Sequence, residues 1–270
     1  MIYAPISVND SEKFEKGRRS LKKLRQYFCV MSAMLLLISC AGGSKAEKKD
    51  KTVRIEEHFE LGFRAAEKGN LEDAISEYQR VLKMDPKHSR AHLNLGIAYG
   101  RQREWKKEIS EYRKAIGIDP NFAEAYFNLG VAYNEKGDLN EASVQYQKAL
   151  QINPNYVEGH NNLGNIFFRK GKLEEALSEY QKTIEIKPDY ARGYYNLGNI
   201  YRQKGNLEEA IASFQRALEI NPKYAEVHYN LAIIYYEKQE FKLSAQYADQ
   251  AGRLGIVVDP KLLERLKPYR

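Results

Sequence analysis

The chain has 270 residues and a net charge of +7, from 43 Lys and Arg against 36 Asp and Glu. The excess is local: residues 1–39 hold seven basic side chains (Lys13, Lys16, Arg18, Arg19, Lys22, Lys23, Arg25) and three acidic ones (Asp10, Glu12, Glu15), which leaves 36 basic and 33 acidic over residues 40–270. So balanced a surface excludes the basic stripe that nucleic acid requires. The two cysteines, Cys29 and Cys40, both stand near the N-terminus and exclude a disulfide framework for the remainder.

The first predicted element is an export signal. A basic stretch from Lys16 to Arg25 precedes an apolar run from Tyr27 to Ile38 and the small Ser39, the order of a signal peptide. The apolar run is well short of the roughly 20 residues a helix needs to span a bilayer, which argues against a permanent transmembrane anchor. A translation start near Leu21 would give a signal of more usual length. Leu37-Ile38-Ser39-Cys40 resembles the lipobox of bacterial lipoproteins. That resemblance implies that residues 1–39 are removed and that Cys40 is acylated, which anchors the protein in a bacterial cell envelope. With Ala41 and not Asp after the cysteine, it further implies the periplasmic face of the outer membrane in a cell with two membranes. Residues 41–53 are small or charged and cannot bury a core. They are expected to form a flexible tether, with a reach on the order of 20 Å.

Internal repetition governs the rest. Pro86, Pro120, Pro154, Pro188 and Pro222 recur every 34 residues, and so do Leu61, Leu95, Leu129, Leu163, Leu197 and Leu231. With proline at position 32, six repeats fall at 55–88, 89–122, 123–156, 157–190, 191–224 and 225–258. In each, two apolar patterns of helical period flank a turn, which predicts a helical hairpin. Gly69, Gly137, Gly171 and Gly205 mark the turn, and the proline ends the second helix. Small residues at positions 8 and 20 (Ala74, Ala142, Ala176 and Ala210 at the latter) and aromatics at positions 11 and 24 assign a core of alternating small and large side chains. His92, His160 and His228 share position 4 with Tyr126 and Tyr194, so they are expected to be packing groups and not metal ligands.

These residues resemble the tetratricopeptide repeat over 55–258. The resemblance implies an all-α solenoid, wound as a right-handed superhelix of six hairpins, whose concave face holds proteins or extended peptides. Two departures stand out. Glu108 occupies position 20, where the second hairpin is expected to loosen, and the sixth repeat has Ala232 for Gly, Ser244 for Ala and no proline at 256. Asp259-Pro260 starts a short C-terminal helix over 259–270, whose Leu262, Leu263 and Leu266 are expected to cap the last hairpin.

Helical geometry separates core from groove. Positions 4, 7, 8 and 11 share one side of the first helix, and positions 2, 6, 9 and 13 face the other way. Position 6 is Asn94, Asn128, Asn162, Asn196 and Asn230, and Asn165 and Asn199 add position 9. An amide donates and accepts, so a row of them suits the backbone of an extended segment. The repeat domain of O-linked N-acetylglucosamine transferases carries a similar ladder. Phe127, Tyr195 and Tyr229 at position 5, Arg192 at position 2, and Phe168, Arg202 and Tyr236 at position 12 complete the candidate surface. The carboxylate clamp of chaperone-binding family members needs lysine at position 5, which this chain lacks.

The function these features predict is a membrane-anchored scaffold for a partner protein or peptide. Narrower versions are a secretin or pilus assembly lipoprotein of the pilotin kind, or the recognition partner of a separate glycosyltransferase. Phosphate-binding glycine loops, His-Glu-x-x-His, paired-cysteine metal sites and serine elbows are absent from the sequence. The expectation is therefore no enzyme, no cofactor, no metal and no small-molecule substrate.

Overall fold

The computed structural model describes residues 43–270, with side chains from Asp50 onward; the apolar N-terminal segment, Cys29 and Cys40 lie outside the described residues. The chain divides into two units, one ending at Glu56 and one running from Glu57 to Arg270.

Of the first unit, the described part is the opening of α1 (Gly43–Glu67). Residues 43–53 are thus helical and not the flexible coil expected of them. Their Ala, Glu and Lys are strong helix formers, and Arg54 pairs with Asp50 one turn away at 3.1 Å. Residues 50–54 are exposed and bury no core.

The second unit continues α1 and then alternates α2 (Leu71–Met84), α3 (Ser89–Arg101), α4 (Trp105–Ile118), α5 (Ala123–Lys136), α6 (Leu139–Ile152), α7 (Val157–Arg169), α8 (Leu173–Ile186), α9 (Ala191–Gln203), α10 (Leu207–Ile220), α11 (Ala225–Glu237) and α12 (Phe241–Arg253), closing with α13 (Pro260–Leu266) and a 3₁₀ turn at Lys267–Tyr269. It is an all-α solenoid, and each odd helix from α3 to α11 is the first of its hairpin.

The turn inside each hairpin demands a left-handed residue at position 15. Gly69, Gly137, Gly171 and Gly205 supply it with φ of 73 to 91°, while Arg103 (φ 61°) and Gln239 (φ 63°) are forced into it in the second and sixth repeats. Between hairpins, the residue before each proline is pushed out of the helical region. Asp85, Asp119, Asn153, Lys187 and Asn221 accordingly have φ near −130° and ψ near 90°. Asp85, Asp119, Asn153 and Asn221 also accept a backbone N–H two residues on at 3.0 to 3.2 Å, which fixes the turn into the next repeat.

Within a hairpin, the ring at position 24 lies over the glycine at position 8. A Cβ on Gly62, Gly96, Gly130, Gly164 or Gly198 would come within 2.6 to 2.8 Å of Tyr78, Tyr112, Tyr146, Tyr180 or Phe214, respectively. In the sixth repeat both members change together: Ala232 faces a second helix that carries Ala248 at position 24, and both are fully buried. Ser244 joins the exchange by donating to the Ala232 carbonyl at 2.7 Å.

Glu108 does not loosen the second hairpin as expected. Its carboxylate fills the space left by Gly100 at position 12, where a Cβ would stand 2.5 Å from Oε1. Tyr112 donates to it at 3.3 Å, and Oε2 is buried without a hydrogen bond. Burial, offset in part by the Tyr112 hydrogen bond and reinforced by Glu135, pushes its carboxyl up to about 7.

The two ends of the unit differ. Leu266 of α13 is fully buried, with Leu262 and Leu263 packed on Ala245, Ala248 and Ala251. At the other end Leu61 is 50% exposed, although its equivalents from Leu95 to Leu231 are at most 4% exposed.

Candidate functional site

First helices of successive hairpins approach one another directly, as α3 and α5 do, and their outward positions form a continuous face. The candidate asparagines stand on it, most of them half-buried. In the fourth and fifth repeats they engage each other. Asn196 donates to Asn161 at 2.8 Å and to Asn165 at 3.4 Å, and Asn165 also accepts from Tyr180 at 2.7 Å. Asn162 donates to the Tyr146 hydroxyl at 3.4 Å and accepts from Asn161 at the same distance. A second group joins Asn230, which donates to Asn199 at 3.3 Å, to Arg202, which donates to Asn230 at 2.7 Å.

The remaining candidates stand apart from these groups. Asn94 stands near the Tyr78 hydroxyl, and Asn128 donates to the Glu124 carbonyl of its own helix at 2.8 Å. Arg192 is exposed near Tyr224. Tyr229 packs toward the C-terminal cluster. The amides are therefore not a row of unengaged groups: several are held by tyrosine hydroxyls rising from the core and by neighbouring amides, which fixes their orientation. Sequence reasoning missed Asn161, which is 1% exposed and links two repeats. It is the single polar residue in a position that otherwise carries Phe59, Leu93, Phe127, Tyr195 and Tyr229, and that break in pattern was its available signal.

Also missed were the residues at position 34. Three of them pack on the ring at position 5 of the same repeat: His88 on Phe59 (5.1 Å) and Tyr224 on Tyr195 (5.1 Å) stacked, and Tyr156 on Phe127 (4.7 Å) tilted. Burial, reinforced by the nearby carboxylates of Glu124 and Glu158, raises the Tyr156 hydroxyl of the middle pair and keeps it neutral. Glu124 makes no ion pair among the described residues; partial desolvation raises its carboxyl, and Arg90, which stands 5.5 Å from the Phe59 ring, offsets this in part. Buried tyrosines Tyr78, Tyr112 and Tyr146 are likewise raised by burial and stay neutral; Tyr112 donates to Glu108, while Tyr146 accepts from Asn162.

The opposite side carries the histidines. His92 Nδ1 meets Glu111 at 2.6 Å and its Nε2 meets the Pro86 carbonyl at 3.2 Å; His160 repeats this with Glu179 (2.6 Å) and Pro154 (2.9 Å). Both nitrogens face acceptors, so the ring donates to both only when charged. Lys114 and Lys182 complete the groups at 2.7 and 2.9 Å. Burial pushes Glu111 and Glu179 up, but the hydrogen bonds from histidine and lysine outweigh it and hold both below the usual carboxylate range. A cleft of about 640 Å³ opens beside His160, floored by Leu150, Leu163 and Phe167. Among the described residues, no three His, Cys, Asp or Glu side chains gather as metal ligands.

Three family models match: one described as TPR repeat over residues 132–171, 164–201 and 198–239, and two described as tetratricopeptide repeat over 59–123 and 111–142. The chain belongs to the tetratricopeptide repeat family. No curated protein matches it. Among solved structures, MamA is 33% identical, with 62% of this chain and 97% of MamA covered and a TM-score of 0.56. The Pseudomonas aeruginosa pilF structure is 19% identical, with 82% of this chain and all of pilF covered and a TM-score of 0.71. YrrB, described as a TPR protein with an unusual peptide-binding site, is 21% identical, with 71% and 97% covered and a TM-score of 0.58. At their identities the last two share the fold alone.

Proposed function

We propose that this protein is a membrane-tethered interaction scaffold whose first-helix face binds an extended segment of a partner protein. The observation that carries this reading is the oriented amide group Asn161, Asn162, Asn165 and Asn196, set between the Phe127/Tyr156 and Tyr195/Tyr224 ring pairs. Amides meet the backbone N–H and C=O of any sequence, and rigid aromatic pairs supply apolar contact at little entropic cost. The peptide-binding site named for YrrB is consistent with such a use of the fold.

The tether rests on the sequence from Leu37 to Cys40. No described helix is long and apolar enough to cross a membrane. Acylation of Cys40 would place the array at an envelope surface, the outer membrane in a cell that has one. The narrower roles, in secretin or pilus assembly or beside a glycosyltransferase, rest on the sequence resemblances alone.

The test places a photo-crosslinking residue at Asn196, and a control at the exposed Gln181 of α8, in cells carrying the full chain. A protein adduct from Asn196 and none from Gln181 supports the reading; equal labelling from both sites removes it. Separately, a Cys40→Ala chain that is still acylated and membrane-bound would end the anchor assignment.

A further inference from the structure

The amides of the first-helix face are unevenly spent. The Asn165 oxygen accepts from the Tyr180 hydroxyl at 2.7 Å and from Asn196 at 3.4 Å, and the Asn199 oxygen accepts from Asn230 at 3.3 Å. The NH2 groups of Asn165 and Asn199 donate to nothing among the described residues. Asn196 is spent the other way: its NH2 donates to Asn161 and Asn165, which leaves its oxygen. Arg202, one turn beyond Asn199, is a side chain that can only donate, and it reaches Asn230 through one nitrogen at 2.7 Å. Position 9 of the fourth and fifth repeats therefore offers donors, with the Asn196 oxygen between them. Each of these two amides also has a half-buried ring one helical turn away on the same face, Phe168 beside Asn165 and Tyr195 beside Asn199.

We infer that the partner segment is a proline-rich strand in the polyproline II conformation, whose carbonyls three residues apart are held by the NH2 groups of Asn165 and Asn199. This rests on the reading of the first-helix face as the binding face. The hydrogen bonds from Asn196 join α7 and α9 directly, and packed helices lie about 8–10 Å apart. The two position-9 amides, on successive first helices, recur at that interval. A polyproline II helix turns once in three residues and rises about 9 Å in doing so, so every third carbonyl points the same way in step with the hairpins. A β-strand repeats its equivalent carbonyls about every 7 Å and falls out of step. Ordinary backbone also brings an N–H with every carbonyl, whereas proline brings the carbonyl alone and suits a face with few free acceptors. The Asn196 oxygen takes the N–H of one non-proline residue in the turn. Phe168 and Tyr195 supply rings for the pyrrolidines to pack on, the contact by which aromatic-lined grooves hold such preformed strands.

The test uses the full chain in detergent and two capped, fluorescent twelve-residue peptides, one of repeated Pro-Pro-Ala and one of repeated Thr-Ser-Ala, read by anisotropy. The Pro-Pro-Ala peptide is expected to bind at least about tenfold more tightly than its twin. Asn165→Asp and Asn199→Asp keep the size of the side chain and the oxygen that neighbouring donors use, but put an acceptor where the free NH2 stood. Each should weaken the Pro-Pro-Ala peptide by about tenfold or more, whereas Gln181→Glu, the same change of charge at an exposed site on α8, should leave it within about twofold. Equal or tighter binding of the Thr-Ser-Ala twin, weakened by both aspartate variants, overturns the polyproline II conformation and leaves the face reading intact. Binding of neither peptide, or binding indifferent to either aspartate variant, overturns the proposal, and the adduct from Asn196 then decides the face reading by itself.

Discussion

Tyr146 packs against Gly130, so close that a Cβ on the glycine would come within 2.7 Å of two ring carbons. The backbone of α5 at this point is the floor of the ring's pocket. Gly130→Ala therefore forces the ring or the helix to shift and should lower stability by about 1–3 kcal/mol. The reverse change at the equivalent site, Ala232→Gly, meets Ala248 and no ring, and should cost only the propensity difference of about 1 kcal/mol. Urea midpoints of the two variants separate the effects.

Glu108 and Glu179 should give opposite pH slopes. The Glu108 carboxyl sits near 7, above its ordinary 4.5, because burial disfavours the charge. The folded state then keeps a proton that the unfolded chain releases, so stability falls as pH rises from about 4.5 to 7. Glu108→Gln should match the parent near pH 4 and exceed it by about 1–2 kcal/mol above pH 7, less than the full shift because the glutamine amide is still a buried polar group. Glu179 is held low by His160 and Lys182. Its stabilisation is present above the ordinary value and lost as pH falls through the lowered one, so Glu179→Gln should destabilise near neutrality and be silent in strong acid. Denaturation at several pH values reads both slopes.

Arg103 stands with φ 61° where four other repeats place glycine. A side chain in the left-handed region costs about 1–2 kcal/mol, partly returned because glycine loosens the unfolded chain. Arg103→Gly should raise stability by about 0.5–1 kcal/mol, as should Gln239→Gly, and thermal unfolding would register each gain.

Asn196→Ala removes the donor that satisfies Asn161, whose amide is 1% exposed. An unpaired buried acceptor costs about 1–3 kcal/mol. Asn128→Ala, at the same repeat position, loses only a bond to its own helix and should stay within about 0.5 kcal/mol. Equal stability losses in the two variants would contradict the amide group as drawn.

The phase of the repeat was legible in the sequence because period and steric alternation act locally: proline at 32, glycine at 8 and alanine at 20 each answer a backbone constraint within one hairpin. The accommodation of Glu108 was not, because the compensating change, Gly100, lies eight residues away in another helix and is an ordinary residue until the two are seen together. The paired loss of glycine and ring in Ala232 and Ala248 hid in the same way. On the candidate face, the position of the asparagines followed from helical geometry, but their engagement did not. Whether Asn196 meets a partner or Asn161 depends on the distance between neighbouring repeats, which no single-repeat pattern encodes. The helical start at Gly43 was missed because composition marks what cannot form a core, and a charged helix needs none.

Leu61 and Leu266 give the array a soft end and a hard one. A solenoid holds each repeat mainly through its neighbours, so among the described residues the hairpin bearing Leu61 has one supporting interface where inner hairpins have two, while the last hairpin is clasped by α13. Fraying should thus enter from α1 and α2 and proceed in one direction, and amide exchange should quicken stepwise toward that end. The repeats that carry the candidate groove lie away from it, where the chain lets go last.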